Sequence, residues 1–317
     1  MAGDTLAKTT TTMDTQEVVD LFPAPVGEKW GFIDRTGRLV VEPQYHWALP
    51  FHEGLACVDQ GNSDEGPHYG FVDTTGSHVI PARLSYPSQF GEGLAPMSDG
   101  NGWGYINKTG EYALPPEYEG TGLFSEGLAS VETRDGLGYI DKTGRFVIEP
   151  QSEYLSAFAF SEGLAAVGTS QGRGYIDKTG RFIIEPLFLD VGEFRDGLAP
   201  VCREVPEAED GWFQEWGYID RTGQLVIQYQ FMQAMEFGSG LAPVLVAPDA
   251  SRDDEGGWYY IDTDGSVVLG PFEWADSFHD GLAIVGTRDG QNAYIDTSGN
   301  IVWSAPNAWL QENGSLD

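Results

Sequence analysis

The fold is decided by a stretch of the chain that begins at Glu126 and reads EGLASVETRDGLGYIDKTGRFVIEP. Two short motifs of β-prone residues, GLASV and LGYID, flank a polar hairpin, and an Asp-Lys-Thr-Gly turn leads into a third apolar run. Asp141 is placed to bond backbone N–H groups two or three residues further on, and Gly144 supplies the positive φ that a tight hairpin requires. The stretch therefore predicts three consecutive antiparallel strands.

The same pattern recurs along most of the chain. The Trp-Gly-Tyr-Ile-Asp motif has eight versions, spaced 34 to 43 residues apart, and a Gly-Leu-Ala motif precedes seven of them. The eight versions begin at Trp30, Tyr69, Trp103, Leu137, Arg173, Trp216, Trp258 and Asn292. The first unit has a degenerate Gly-Leu-Ala motif, LFPAPV, at residues 21–26. A single unit of this length cannot bury its apolar face, so neighbouring units are expected to stack.

The repeat predicts an all-β fold. Each unit ends in an aromatic-rich segment that leads to the next unit, here called the aromatic return. An example is PFEWADSF at residues 271–278, whose composition is suited to a fourth, irregular strand. No segment longer than ten residues has helical periodicity. Eight units occupy residues 19–306, between a flexible N-terminal lead-in (1–18) and a C-terminal tail (307–317). A β-propeller with small blades is favoured, because the small residues of the Gly-Leu-Ala motif suit a crowded inner strand. An open β-hairpin solenoid is the alternative.

Repeats with Trp-Gly-Tyr-Ile-Asp, Lys-Thr-Gly and Glu-Gly-Leu-Ala at these offsets resemble the bacterial WG-repeat family. The resemblance implies a β-rich repeat protein without common catalytic residues. The chain departs from the family pattern at Leu137, Arg173 and Asn292, where the Trp is missing, and at Ala293, which replaces the motif Gly. The sequence WYYID at residues 258–262 is also similar to choline- and cell-wall-binding repeats, whose units are shorter, and this likeness supports glycan binding as an alternative function.

The composition is strongly acidic, with 49 Asp and Glu against 17 Lys and Arg and a formal net charge of −32. Nucleic acid and anionic membranes are excluded as direct partners, because both require a basic surface. No apolar run approaches the roughly 20 residues of a membrane helix. The N-terminus lacks the apolar core of a secretory signal, and we expect Cys57 and Cys202 to be free, buried thiols. These features predict a cytoplasmic protein.

Acidic residues collect in the loops that precede the Trp-Gly motif. Three of these loops are long: residues 59–68, 202–215 and 245–257. Because the insertions share one topological position, they are expected to emerge on one face and to bind a protein partner with a basic surface. The candidate binding residues are Asp64, Glu65, Glu209, Asp210, Asp253, Asp254 and Glu255, with Trp212 and Phe213 as aromatic anchors. The alternative interpretation is that the acidity maintains solubility or suits a salty cytoplasm.

The sequence predicts no catalytic residue, no metal site and no cofactor. No Ser, Cys or Lys lies in a recognisable nucleophile motif, and the histidines lack the spacing of metal ligands. His52 and His279 share one repeat position and are interpreted as solvated turn residues. The predicted function is therefore a non-catalytic binding scaffold. The alternatives are a glycan- or cell-wall-binding module that uses the repeat aromatics, and a carboxylate-based hydrolase.

Overall fold

The computed structural model describes residues 20–61, 68–86, 88–205, 214–248 and 256–305. Over these ranges the chain forms β-strands and no helix, and the strands are gathered into eight small antiparallel sheets. The sheets follow one another as the eight blades of a β-propeller, which confirms the all-β prediction and the favoured arrangement. The predicted lead-in (1–18) and tail (307–317) lie outside the described residues.

Blades 1 and 3 contain three strands within the described residues, and the other blades contain four. The strands of blades 1 to 4 are β1 (Leu21–Val26), β2 (Lys29–Asp34), β3 (Leu39–Tyr45); β4 (Trp47–Ala48), β5 (Leu55–Asp59), β6 (Tyr69–Asp73), β7 (His78–Leu84); β8 (Leu94–Ser98), β9 (Trp103–Asn107), β10 (Tyr112–Tyr118); and β11 (Gly120–Thr121), β12 (Leu128–Thr133), β13 (Gly136–Asp141), β14 (Phe146–Gln151). The strands of blades 5 to 8 are β15 (Ser156–Ser161), β16 (Leu164–Thr169), β17 (Gly172–Ile176), β18 (Phe182–Phe188); β19 (Asp190–Val191), β20 (Leu198–Glu204), β21 (Gln214–Asp220), β22 (Leu225–Phe231); β23 (Gln233–Ala234), β24 (Ala242–Val246), β25 (Gly257–Ile261), β26 (Val267–Phe272); and β27 (Trp274–Ala275), β28 (Leu282–Gly286), β29 (Asn292–Asp296), β30 (Ile301–Ser304).

In a four-stranded blade the spatial order of the strands is their order in the chain. The second strand carries the Gly-Leu-Ala motif, the third carries the Trp-Gly motif, and the fourth is the apolar return. The first strand, such as β27, is the irregular strand predicted in the aromatic return. In the four-stranded blades the Gly-Leu-Ala strand is therefore an inner strand of the sheet and not the edge strand that was expected. His52, Arg195 and His279, which follow the first strand in blades 2, 6 and 8, line one cavity together with Leu282 and Ala283 of β28.

In blade 4, a β-bulge in the fourth strand explains the glycine of the Trp-Gly motif. The register of β13 and β14 shifts after the Leu137–Gln151 pair, so that β14 holds one extra residue opposite Gly138. Pro150 lies in this bulge, where its missing N–H removes no ladder hydrogen bond. A Cβ atom added at Gly138 would lie 2.7 Å from the carbonyl oxygen of Ile148, so a side chain does not fit without a backbone shift.

Blade 8 shows the complementary case. Ala293 replaces the motif glycine there, and it pairs with Ser304 while the next residue, Tyr294, pairs with Trp303. The fourth strand therefore holds no extra residue opposite Ala293. Because the bulge is missing at this position, the methyl group of alanine is accommodated.

The core of the propeller lies between the blades, in eight clusters of buried apolar residues that each join two neighbours. At seven junctions an aromatic ring of the third strand packs on a Phe of the next blade, with centroids 4.7–5.0 Å apart. In six blades this residue is a Tyr whose hydroxyl donates to a carbonyl of the next blade at 2.7–2.9 Å: Tyr105, Tyr139, Tyr175, Tyr218, Tyr260 and Tyr294. The Tyr294 bond, to Pro23 O, joins blade 8 to blade 1, so the ring is closed and the open solenoid does not form.

The two cysteines are free and buried, as predicted. Burial raises the pKa of both Cys57 and Cys202 to about 11, which keeps the reactive thiolate scarce at neutral pH. Within the described ranges, no helix is long and apolar enough to cross a lipid bilayer.

The bulge predicts opposite tolerances at two equivalent positions. The Gly138→Ala change is expected to lower the free energy of unfolding by about 3 kcal/mol, because the new methyl group meets backbone atoms of β14. The matched control, Ala293→Gly, is expected to cost about 1 kcal/mol or less. Urea unfolding of both variants checks this, and a Gly138→Ala variant as stable as the parent protein would contradict the role given to the bulge.

Candidate functional site

The antiparallel order of each blade places two kinds of connection at opposite ends of the ring. We call one end the turn face: it carries the Gly turns between third and fourth strands and the Glu-Gly turns before the second strands. We call the other end the insertion face: it carries the hairpins between second and third strands and the connections from blade to blade. The stems of the three long acidic segments, formed by the pairs Asp59–Tyr69, Glu204–Gln214 and Val246–Gly257, lie on the insertion face.

The predicted binding residues lie within these long segments. Asp64 and Glu65 fall in residues 62–67, and Glu209, Asp210, Trp212 and Phe213 fall in residues 206–213. Asp253, Asp254 and Glu255 fall in residues 249–255. All nine lie outside the described residues, so the structure does not test whether they lie close together. Their role stays a prediction.

On the turn face, the recurrent Asp after the Trp-Gly motif organises its own turn. Asp73 Oδ1 accepts hydrogen bonds from the hydroxyl (2.6 Å) and the amide (2.9 Å) of Thr75 and from the amide of Ser77 (3.1 Å). These bonds, chiefly that from the Thr75 hydroxyl, lower the pKa of Asp73 because they stabilise its charged form. Asn107 makes the same contacts with Thr109 at 2.6 and 2.9 Å, so the interaction does not need a charge.

The acids of the Glu-Gly turns connect one blade to the next. Glu53 adopts the left-handed conformation, and its carboxylate accepts from the amide of Gly93 at 2.9 Å and pairs with Lys108 Nζ at 3.0 Å. The same arrangement recurs between Glu92 and Lys142 at 2.8 Å and between Glu126 and Lys178 at 3.0 Å. Sequence analysis missed this role. The signal was the Lys-Thr-Gly turn, which occurs only in the units that follow Glu53, Glu92 and Glu126.

These ion pairs neutralise part of the negative charge of the turn face. Three of the five lysines of the chain neutralise carboxylates of the turn face. On the insertion face, Arg134, Arg173 and Arg203 each pair with a nearby carboxylate. Many exposed acids at this face have no cationic partner among the described residues: Glu28, Glu117, Glu132, Asp135, Glu153, Glu204, Glu273 and Asp289. Acids without a described cationic partner also lie on the turn face, among them Glu111, Asp264 and Asp280, so the two faces differ chiefly in the acids that the sequence adds in the three long segments, whose stems lie on the insertion face.

The axis opens on the turn face into a cavity of about 390 Å³, which we call the axial mouth. Its lining includes His52, Gln89, Arg195, Asp276 and His279, which come from four different blades. Partial desolvation in the cavity, followed by the approach of His279, lowers the pKa of His52, against opposing effects of Asp280 and Glu53. His52 and His279 are exposed, as expected of solvated turn residues, but only ring closure brings them to one cavity.

A larger open cavity, of about 710 Å³, lies on the insertion face above blade 3. We call it the blade-3 groove; it runs between the hairpins of blades 3 and 4 and includes Tyr86, Trp103, Glu117 and Asp135 in its lining. The rings of Tyr86 and Trp103 lie 5.2 Å apart, tilted by 42°. Among the described residues, no three His, Cys, Asp or Glu side chains are placed to hold a metal ion.

The repeated four-stranded unit, the closed ring and the inter-blade contacts define an eight-bladed β-propeller assembled from tandem repeats. The family model described as "WG containing repeat" matches seven segments, at residues 30–63, 69–102, 103–136, 138–168, 174–204, 216–246 and 258–289. The chain therefore belongs to the WG-repeat family, as its motifs indicated.

Comparison of the fold with solved structures finds similar architectures at low sequence identity. A structure described as that of the eukaryotic initiation factor has a TM-score of 0.56 and 9% identity, and covers 93% of this chain and 97% of its own. BamB from Moraxella catarrhalis gives 0.45 and 11%, with coverages of 94% and 91%. The WD40 β-propeller domain of Doa1 gives 0.33 and 12%, with coverages of 57% and 66%. These likenesses concern the fold alone. A search of curated proteins finds no match.

The turn geometry predicts a specific effect of acid. A carboxylate whose pKa is lowered by folding adds stability above its unfolded pKa of about 3.9, and this stability is lost as the pH falls below that value. Asp73→Asn is expected to change stability by less than about 0.5 kcal/mol at pH 7, as Asn107 shows that an amide fits. The variant should then lose less stability than the parent protein on acidification.

Urea unfolding at pH 7 and at pH 3 measures this difference. The matched control is Asp264→Asn, which alters an exposed carboxylate of an equivalent turn that accepts no hydrogen bond from a described residue. Parallel loss of stability in the parent protein and Asp73→Asn would contradict the role given to the turn carboxylate.

Proposed function

We propose that the protein is a non-catalytic binding scaffold, working in the cytoplasm, that engages a partner protein with a basic surface through its insertion face. The observation that carries this proposal is the number of acids on the insertion face. Eight exposed carboxylates of its described residues have no cationic partner among those residues, and the sequence adds the acids of the three long segments, whose stems lie on this face. Such a field attracts and orients a basic partner and raises the rate of association.

The lengths of the hairpins support the same face. In blade 1 only Gly27 and Glu28 separate the paired residues Val26 and Lys29, whereas the stem in blade 6 encloses residues 205–213. The blades keep one register while these hairpins vary, which is the behaviour of binding loops on a rigid framework. The acids of the long segments add to the charge of the described stems.

A non-catalytic role is supported by the structural contacts that the recurrent carboxylates make. The acids after the Trp-Gly motif cap turns, as at Asp73, and those of the Glu-Gly turns bind the next blade, as at Glu92. Each of these carboxylates serves the architecture at its own repeat position. The repeated acids are thus explained without a reacting pair.

The test compares two variants with the same change of net charge. The insertion-face variant carries Glu204→Gln, Glu273→Gln and Asp289→Asn, and the control carries Glu111→Gln, Asp264→Asn and Asp280→Asn on the turn face. A partner is first captured on the immobilised full-length chain and eluted in rising salt. Its affinity is then expected to fall about tenfold for the insertion-face variant and to stay close to the parent value for the control.

The long segments are tested in the same assay by neutralising Glu209, Asp210 and the acids of residues 253–255 together. A further loss of affinity and of association rate is expected if these acids extend the binding face. Equal losses for the insertion-face variant and the control would indicate a general effect of net charge. Unchanged affinity in both the insertion-face variant and the long-segment variant would contradict the proposal.

A further inference from the structure

The blade-3 groove has the chemistry of a sugar site. The exposed ring of Tyr86 and the half-buried ring of Trp103 lie beside hydrogen-bonding side chains in a cavity of about 710 Å³, a volume in the range of small-ligand sites. We propose that this groove binds a short, electrically neutral oligosaccharide. The inference rests on the aromatic rings of Tyr86 and Trp103, which the proposed protein-binding function does not use, and neutral probes and charge variants test the two proposals separately.

The aromatic pair is the first support. Trp30, Trp216 and Trp258, which share the repeat position of Trp103, pack against clusters of the core. Trp103 instead lies beside Tyr86, with ring centroids 5.2 Å apart, and Tyr86 is 48% exposed. Two rings that border an open groove offer an apolar surface to the C–H faces of a sugar, and the polar edges of Tyr and Trp can reach hydrogen-bonding groups.

Among the described residues, the local architecture leaves this pair uncovered. In blade 2 the equivalent rings, Trp47 and Tyr69, lie at the base of the long hairpin that starts at Asp59. In blade 3 only residues 99–102 separate Ser98 from Trp103, so the hairpin is too short to fold over the rings. Blade 3 also has no short first strand among its described residues, and Tyr86 is outside the sheet.

The rim of the groove supplies the polar contacts. The carboxylates of Glu117 and Asp135 are exposed and have no cationic partner among the described residues. Carboxylate oxygens accept hydrogen bonds and the hydroxyls of a sugar donate them, so the two groups are complementary. Arg134, which is 3.7 Å from Glu119, places N–H donors on the same rim for ring and glycosidic oxygens.

The net negative charge of the protein favours neutral ligands over anionic ones. A formal net charge of −32 repels anionic ligands, including acidic sugars. A neutral oligosaccharide meets no such barrier, and its binding does not depend on ion pairs. Its affinity is therefore expected to change little with salt, in contrast to the binding of a basic protein to the insertion-face acids.

The experiment uses the full-length chain and four defined probes: maltotriose, cellotriose, chitotriose and mannotriose. Saturation-transfer NMR at low and high salt detects binding, and titration of Trp fluorescence gives the affinity. Binding of at least one probe, insensitive to salt, is the expected result. Failure of all four at millimolar concentration overturns the proposal, and it leaves the protein-binding proposal intact.

The variants locate the site. Tyr86→Ser and Trp103→Ala should each weaken the bound probe by about tenfold through loss of a stacking ring. Trp274→Ala is the matched control, because Trp274 has the repeat position of Tyr86 in blade 8 and is 38% exposed there. Should Trp103→Ala fail to fold, Tyr86→Ser and Asp135→Asn decide the outcome, since both alter exposed side chains. Unchanged binding in Tyr86→Ser, or an equal loss in Trp274→Ala, overturns the assignment to this groove.

Discussion

The packing of one aromatic ring into the next blade is the contact on which the ring depends. A blade of three or four short strands has apolar side chains on its faces and no helix to cover them, so each blade must be covered by its neighbours. Tyr175 shows how this is achieved. Its ring packs on Phe194, and its hydroxyl donates to the carbonyl of Gly192 at 2.7 Å, so apolar and polar groups of one side chain are both satisfied by the next blade.

Tyr294, the equivalent tyrosine of blade 8, closes the ring by donating to a different acceptor. Blade 1 has no first strand among its described residues, and the Tyr294 hydroxyl bonds Pro23 O of the second strand. In blade 2 the equivalent carbonyl, that of Cys57, accepts from the amide of Leu49 beside the first strand. The tyrosine thus takes the place of a missing backbone donor, and a buried carbonyl that closure would leave unpaired is satisfied.

Local patterns were sufficient to predict the strands. The Asp-Lys-Thr-Gly turn at residues 141–144 and the alternation around it predicted a hairpin, which is confirmed. The irregular strand predicted in the aromatic return is present, but it is the first strand of the following blade and not the fourth strand of its own unit. The contacts between strands and blades were not accessible in this way. The pairing of Glu92 with Lys142 joins residues fifty positions apart, and its recognition requires the order of the blades.

The sites were harder to predict for the same reason. Tyr86 and Trp103 are both visible in the sequence, but the open groove beside them follows from a short hairpin and from the absence of a first strand among the described residues of blade 3. The axial mouth gathers His52, Arg195 and His279 from blades that meet only because the ring closes. The predicted acidic segments were recognised from composition and topological position, which define a face and not a geometry.

The two faces differ because the carboxylates of the turn face take part in the contacts that hold the ring together. On the turn face, carboxylates are committed to caps and to inter-blade bonds, so a change there alters the ring itself. On the insertion face, hairpins vary in length and charge while the register beneath them is constant. One repeated framework can therefore carry unlike surfaces side by side: the stems of the long acidic segments in blades 2, 6 and 7, and a short hairpin beside Tyr86 and Trp103 in blade 3. In both of our proposals, hairpin length is the variable that distinguishes one sector of this face from another.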